Sequence, residues 1–323
     1  MENFAGKIAV ITGGGTGMGR ELARQLSAEG CHVALCDVSA ENMDETVALC
    51  AADAPSGTRV TTFVADVSQE AQLVAFAEAV KTDHDTDHIN LLFNNAGIGG
   101  GGSFVTDDRD EWETTFNVCW GGVYLGTRTF MPMLVASAEG HIVNTSSVNG
   151  FWASLGPNIA HTAYSAAKFA VKGFTEALIT DLRLNAPHIK CSVVMPGHIG
   201  TSIIANSRKL QSGNQTDEIT AHEVGLARAR IASMGIDATG LSDDDVRRTI
   251  AERARRFLEE APTTAAEAAT IILDGVRNER WRILVGRDAE RIDSLVRETP
   301  DQAYETEFFE AFAKETGWVV GGR

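Results

Sequence analysis

The chain has 323 residues, 44% of them hydrophobic and 22% charged, and a formal net charge of -16. This length and composition suit one large folded unit with a sizeable core. So acidic a chain repels phosphate backbones, which argues against a nucleic-acid binder and leaves solubility as the plain meaning of the charge. Five cysteines (Cys31, Cys36, Cys50, Cys119 and Cys191) contain no C-x-x-C pair, so neither a disulfide framework nor a zinc site is expected. The histidines are scattered, and no metal is expected. The N-terminus lacks a basic stretch followed by a long apolar run, and no apolar run approaches the ~18 residues of a membrane span. The expectation is a cytoplasmic protein with no membrane partner.

In chain order, "KIAVIT" (Lys7–Thr12) reads as a strand, and Arg20–Glu29 as a helix closed by Gly30. "HVALC" (His32–Cys36) is the next strand, followed by Asp37, and residues 40–52 form a helix. Val60–Val64 is a strand, 69–81 a helix, and Asn90–Phe93 a strand running into "NNAG". The run Gly99–Gly102 reads as a mobile loop within the domain. Residues 110–136 read as one long helix, broken near Pro132. Strands at His141–Thr145 and Lys190–Val194 flank a helix over Thr162–Asn185. Such β-α alternation with nearly continuous apolar strands predicts an α/β fold: a doubly wound parallel sheet of about seven strands covered on both faces.

Beyond Thr201 the rhythm changes. Residues 202–262 hold amphipathic helical stretches and no convincing strand, which predicts a helical substrate lid. The arginines at 247, 248, 253, 255 and 256 read as a solvated face paired with neighbouring acids. A helix over 263–276 and a strand at "RILV" (Arg282–Val285) complete a single domain over 1–286. Residues 287–323 form a C-terminal extension whose aromatics Phe308, Phe309 and Phe312 have helical spacing, which suits packing.

The stretch "ITGGGTGMGREL" (Ile11–Leu22) leads from a strand through clustered glycines into a helix. Side chains would block phosphate there, and the helix N-terminus supplies partial positive charge. The spacing Gly13-x-x-x-Gly17-x-Gly19 departs from the commoner G-x-G-x-x-G. Asp37 lies 18 residues past Gly19, after the second strand. A carboxylate there accepts from the adenosine ribose hydroxyls and repels a 2′-phosphate. No Lys or Arg follows it, which favours NAD over NADP.

Tyr164 and Lys168 stand four apart, on one face of a helix. A cation beside a phenol lowers its pKa, so Tyr164 is expected to titrate below its ordinary value and to move a proton near neutral pH. The strand ending in "NTSS" places Ser147 17 residues earlier.

Together these motifs resemble the short-chain dehydrogenase/reductase family, closely over residues 5–201 and more loosely to 286. They are "TGGGTGMG" (Thr12–Gly19), Asp66-Val67, "NNAG" (Asn94–Gly97), Asn117 in "FNVCWGG", "IVNTSS", "YSAAK" and "PGHIGT" (Pro196–Thr201). The resemblance implies a Rossmann fold and a set of roles. Tyr164 gives or takes the proton. Lys168 tunes it and binds the nicotinamide ribose. Ser147 holds the substrate oxygen, and Asn117 holds a water linking Lys168 to solvent. Gly13, Gly15, Thr16, Gly17, Met18 and Gly19 cradle the cofactor, with Asp37 and Val38 at the ribose and Asp66 and Val67 at the adenine. Asn94, Ala96 and Gly97 support the sheet and line the cofactor. Pro196, Gly197, Ile199 and Thr201 meet the nicotinamide end. Ser146 is an alternative hydroxyl.

The separation of Ser147 and Tyr164 is about four residues longer than the resemblance implies. The insertion, "GFWASLGPNIAHT", carries Phe151, Trp152, Leu155 and Ile159, which either line an apolar pocket or pack the loop. His161 and His198 are further polar candidates. The expected function is hydride transfer between NAD(H) and a secondary alcohol or ketone, bulky or hydrophobic (steroid-like, cyclic or aryl). The alternatives are a 3-oxoacyl thioester reductase using NADPH and a non-catalytic NAD-binding sensor. The resemblance also implies a homodimer or homotetramer built through helices 110–136 and 162–185.

Overall fold

The strand β1 (Ile8–Thr12) shows how the sheet is buried. Ile8 and Val10 point into one apolar cluster, Ala9 and Ile11 into another. Alternating side chains are therefore covered on both faces, as a parallel sheet between helix layers requires. The computed structural model describes every residue except 158, 215, 234–236, 238–239 and 319–323.

Element order follows the sequence pattern. The first half runs β1, α1 (Gly17–Ala28), β2 (His32–Asp37), α2 (Ala40–Asp53), β3 (Val60–Val64), α3 (Glu70–His84) and β4 (Leu91–Asn94). It continues with α4 (Arg109–Phe116), α5 (Gly122–Val135), β5 (Gly140–Thr145), α6 (Thr162–Asn185) and β6 (Ile189–Pro196). Then come β7 (Ile199–Gly200), α7 (Ile203–Ser212), α8 (Ala221–Ser233), α9 (Asp243–Glu259), β8 (Thr263–Thr264), α10 (Ala265–Arg277), β9 (Arg282–Val285), α11 (Arg287–Glu298) and α12 (Thr306–Thr316).

Seven strands form one sheet in the order β3-β2-β1-β4-β5-β6-β9. Every pairing is parallel. Leu73, Phe76 and Val80 of α3, Phe130 and Leu134 of α5, and Leu178 and Leu182 of α6 cover one face. Leu22 and Leu26 of α1, Met43 of α2, and Ile272 and Leu273 of α10 cover the other. Strand order reverses between β1 and β4, so the crevice that receives ligands lies at the C-terminal ends of those strands.

Two expectations are corrected. The long helix over 110–136 is interrupted at Asn117–Gly121, which form a π turn, and not near Pro132. Pro132 lies in the last turn of α5, where little helix remains to disrupt. The π turn re-aims the residues after α4, a device common beside functional sites. The Gly99–Gly102 run is a fastened loop. Gly99 donates to Ser207 Oγ (2.8 Å) and accepts from Gln211 Nε2 (2.7 Å) of α7. Thr162 N and Ala163 N of α6 donate to the carbonyls of Gly102 and Gly101.

The described residues of 202–262 are largely helical, in α7, α8 and α9. Capping boxes start α9 at Ser242 and α10 at Thr264. Arg255 pairs with Glu252 and Glu259, and Arg256 with Glu260, so much of the basic face of α9 is neutralised within the helix. The insertion and the C-terminal extension build a third apolar cluster together, from Val148, Trp152, Ala289, Ile292, Ala303, Phe312 and Trp318.

Candidate active site

The glycine loop is shaped by its neighbours. Gly13 has φ +68°, and a Cβ there would lie 2.8 Å from Ala96 Cα. A Cβ on Gly19 would lie 2.0 Å from the Gly13 carbonyl oxygen. No side chain fits at either position, so backbone and the first turn of α1 line the cradle. Asp37 closes one end. Its Oδ2 accepts from Gly15 N (3.0 Å) and its Oδ1 from Ser39 N (3.1 Å). The Arg20 guanidinium donates to the Gly15 carbonyl (2.6 Å) and pairs with Glu45 (2.7 Å). Val38 is half exposed beside Asp37, and Met18 packs into the core under α1.

Across the switch point, Asn95 Nδ2 donates to the carbonyls of Thr12 (3.1 Å) and Gly13 (3.3 Å). Asn94 does not line the cofactor crevice. It is 1% exposed, and its amide donates to Thr127 Oγ1 and Asn144 Oδ1. It therefore serves only the sheet-supporting half of its expected role, while Asn95, the next residue, holds the glycine loop. Asp66 caps its own turn through Ser68, and Val67 packs against Gly122. Gly97 lies beside Lys168 Nζ. Thr201 packs against Gly17, and Ile199 is buried in the β7–β8 pair. Pro196 ends β6. Helix α7 meets the cradle where Asn206 Nδ2 donates to Thr16 Oγ1 (3.1 Å).

Ser147, Tyr164 and Lys168 come together at the end of β5 and the start of α6. The Ser147 hydroxyl accepts from Asn149 N (3.1 Å) and stands near enough to the Tyr164 hydroxyl to favour its ionised form. Lys168 Nζ lies 5.3 Å from the centre of the Tyr164 ring and donates to the Thr145 carbonyl (2.8 Å). Ser146 turns away, its hydroxyl spent on the Lys168 carbonyl (2.7 Å). Asn117 heads the π turn with its side chain exposed.

The expected lowering of the Tyr164 pKa is corrected. Burial pushes the phenol above its ordinary value, the Cys119 thiol adds to this, and the nearby Ser147 hydroxyl opposes it. Burial also lowers Lys168. Desolvation penalises the phenolate more than this arrangement of neighbours favours it. The sequence gives no sign that Cys119 lies beside Tyr164. The π turn carries it to the site, where its thiol donates to the Ile98 carbonyl (3.1 Å).

The substrate-side candidates divide. Trp152 is 1% exposed and packs among Phe308, Phe309 and Phe312, and its indole N–H donates to the Ala303 carbonyl (2.6 Å). Phe151 packs in the same cluster beneath the Arg282 guanidinium. Trp152 belongs to the extension's core, and Phe151 is half-buried against it. His198 is buried, its Nε2 against the Phe257 carbonyl (2.8 Å) and its ring on Phe257, so it packs against α9. Ile159 remains half buried. His161 lies with its ring 4.7 Å from that of Tyr164, and burial lowers its pKa to about 4.

A glycine cradle at a sheet switch point, a carboxylate bonded to that cradle and a Ser-Tyr-Lys cluster fit a dinucleotide-dependent oxidoreductase. The comparisons agree. A family model described as short chain dehydrogenase matches residues 7–212. "Putative oxidoreductase SadH" of Mycobacterium tuberculosis is 34% identical over 298 residues, 92% of each chain. Levodione reductase of Leifsonia aquatica is 34% identical over 207 residues, 64% of this chain and 74% of that one. The crystal structure of a short-chain dehydrogenase/reductase from Burkholderia phymatum in complex with NAD is 28% identical. It covers 93% of this chain and 96% of its own, with a TM-score of 0.75. The chain belongs to the short-chain dehydrogenase family, and is an oxidoreductase working with a nicotinamide cofactor. No described helix is long and apolar enough to cross a membrane.

Proposed function

We propose that the chain interconverts a secondary alcohol and its ketone with NAD(H), and that its substrate is a cyclic, apolar carbonyl compound. The observation that carries the reaction is the meeting of Ser147, Tyr164 and Lys168 beside the glycine cradle. NAD is favoured because Asp37 sits at the cradle with its carboxylate toward Gly15, where a 2′-phosphate would meet negative charge. Arg20, the cation of that loop, is already paired with Glu45. The NAD complex of the Burkholderia phymatum relative supports the same choice. The substrate class rests on the likeness to levodione reductase, since Phe151 and Trp152 are engaged elsewhere.

In the direction of reduction, Ser147 would hold the carbonyl oxygen and the Tyr164 hydroxyl would give it a proton. A phenol pushed upward by burial keeps that proton at neutral pH. Lys168 would bind the nicotinamide ribose and stabilise the phenolate left behind, and Asn117 would hold the water that returns the proton. The nicotinamide supplies the hydride, and the chain supplies position and the matched proton. Backbone from Gly13 to Gly19 and the first turn of α1 would hold the pyrophosphate.

The same reading takes the protein as a homodimer or homotetramer joined through α5 and α6, which leave Tyr124, Val135, Phe169 and Leu184 exposed. The test of the function is loss of reduced-nicotinamide absorbance over a panel of cyclic ketones, linear ketones and 3-oxoacyl thioesters, with NADH and NADPH in parallel. Turnover of cyclic ketones with NADH is expected. Preference for a thioester with NADPH would overturn the reading.

A further inference from the structure

We propose that residues 287–318 are a brace that positions both active-site loops, with Trp152, Asn149 and Asp288 as positioning residues. The proposal deepens the functional reading above and rests on it for its kinetic effects.

One arm of the brace reaches Ser147 through three hydrogen bonds joined by the covalent frames of Trp152 and Asn149. The Ala303 carbonyl, between α11 and α12, accepts from the Trp152 indole N–H (2.6 Å). The Trp152 carbonyl accepts from Asn149 Nδ2 (3.0 Å), which also donates to the Ser154 carbonyl (3.0 Å). Asn149 N donates to Ser147 Oγ (3.1 Å). Trp152 is held on several sides by rings from α12, and Ala153 N donates to the Tyr304 hydroxyl (3.2 Å). The insertion and the extension thus answer each other: the added loop residues are the surface on which the added tail docks.

The second arm holds the segment Pro196–Thr201. Asp288, near the start of α11, is 4% exposed. Its Oδ2 accepts from His198 N (2.6 Å), and its Oδ1 from Ala289 N (2.9 Å). The carboxylate occupies the space a Cβ on Gly197 would need, 2.3 Å away. The arms meet at Trp318, whose ring lies 5.4 Å from Phe312 and 6.4 Å from His198. A cap that only stabilised the fold would need no polar path ending on the Ser147 hydroxyl.

The test compares Trp152→Phe, Asn149→Ala and Asp288→Asn with the wild-type chain. Trp152→Phe keeps an aromatic ring and removes the indole donor. Asn149→Ala cuts the path without touching the tail. Hydrogen exchange over 146–157 and 196–201 is read beside thermal stability, NADH affinity and the split between kcat and KM. The first two variants are expected to speed exchange in 146–157 and lower kcat roughly tenfold, with NADH affinity kept. Asp288→Asn is expected to speed exchange in 196–201 and weaken NADH roughly tenfold. Lowered thermal stability in all three, with local exchange, kcat and NADH affinity at wild-type values, would overturn the brace. Should the wild-type chain turn over no ketone, the exchange patterns still decide the brace, and only the substrate reading falls.

Discussion

The Lys168 ammonium lies 5.3 Å from the centre of the Tyr164 ring and is anchored to the Thr145 carbonyl at 2.8 Å. Its charge is placed to compensate a phenolate that burial otherwise opposes. Lys168→Ala should therefore lower kcat/KM by roughly a hundred- to ten-thousand-fold, the usual worth of a positioned proton transfer. Steady-state kinetics on the folded variant checks this.

Reduction needs Tyr164 protonated and oxidation needs it ionised. With the phenol raised, reduction should be level through neutral pH, whereas alcohol oxidation should climb as pH rises above neutral. Paired pH profiles of kcat/KM in the two directions test the sign. An oxidation rate that falls as pH rises would contradict the role given to Tyr164.

Asp37 accepts from Gly15 N and so holds the glycine cradle, the end where the proposed reading puts the adenosine ribose. A hydrogen bond to a charged group is worth about 1.5–3 kcal/mol. Asp37→Ala should therefore weaken NADH by roughly ten- to a hundred-fold while narrowing the gap to NADPH. Calorimetric titration with both cofactors measures it, and an unchanged preference for NADH would count against Asp37 as the selector.

Gly19→Ala should abolish cofactor binding and destabilise the fold by ~1–3 kcal/mol, because its Cβ would meet the Gly13 carbonyl, which is backbone and cannot yield. Gly225→Ala, in α8 with nothing within 4 Å of the new carbon, should instead stabilise by about 0.5–1 kcal/mol. Urea unfolding of the two variants separates a cradle glycine from an incidental one.

Burial lowers His84 to about 4 and His141 to about 3. Both fold neutral, and the unfolded chain takes up protons at their ordinary value near 6.5. Their contribution to stability is complete above that value and is lost as pH falls toward the folded values. By pH 5 the loss is about 2 kcal/mol per histidine. His141→Gln can keep the bond to Ser192 Oγ and should flatten the fall in stability between pH 7 and pH 5. An unchanged slope would mean that His141 does not fold neutral.

The sheet was legible because its signals are local. The run Ile8–Thr12, the glycines after it and Asp37 at the end of β2 each carry their meaning within a few residues. The Ser147, Tyr164 and Lys168 cluster was legible through motif order. The π turn at Asn117–Gly121 was not, since one extra residue per turn leaves no trace in a hydrophobic pattern. Trp152 stayed open between two readings because its partner Ala303 lies 151 residues away, and an aromatic near Ser147 suits a pocket and a tail-docking loop equally. Asn94 and Asn95 are adjacent and alike, and only their packing decides which one faces the glycine loop.

The most direct measurement compares wild-type and Tyr164→Phe chains in reduction of the best cyclic ketone, with NADH binding measured on the same samples. The account predicts near-complete loss of turnover with NADH bound as tightly as before. Turnover retained in Tyr164→Phe would contradict it, since another group would then be giving the proton.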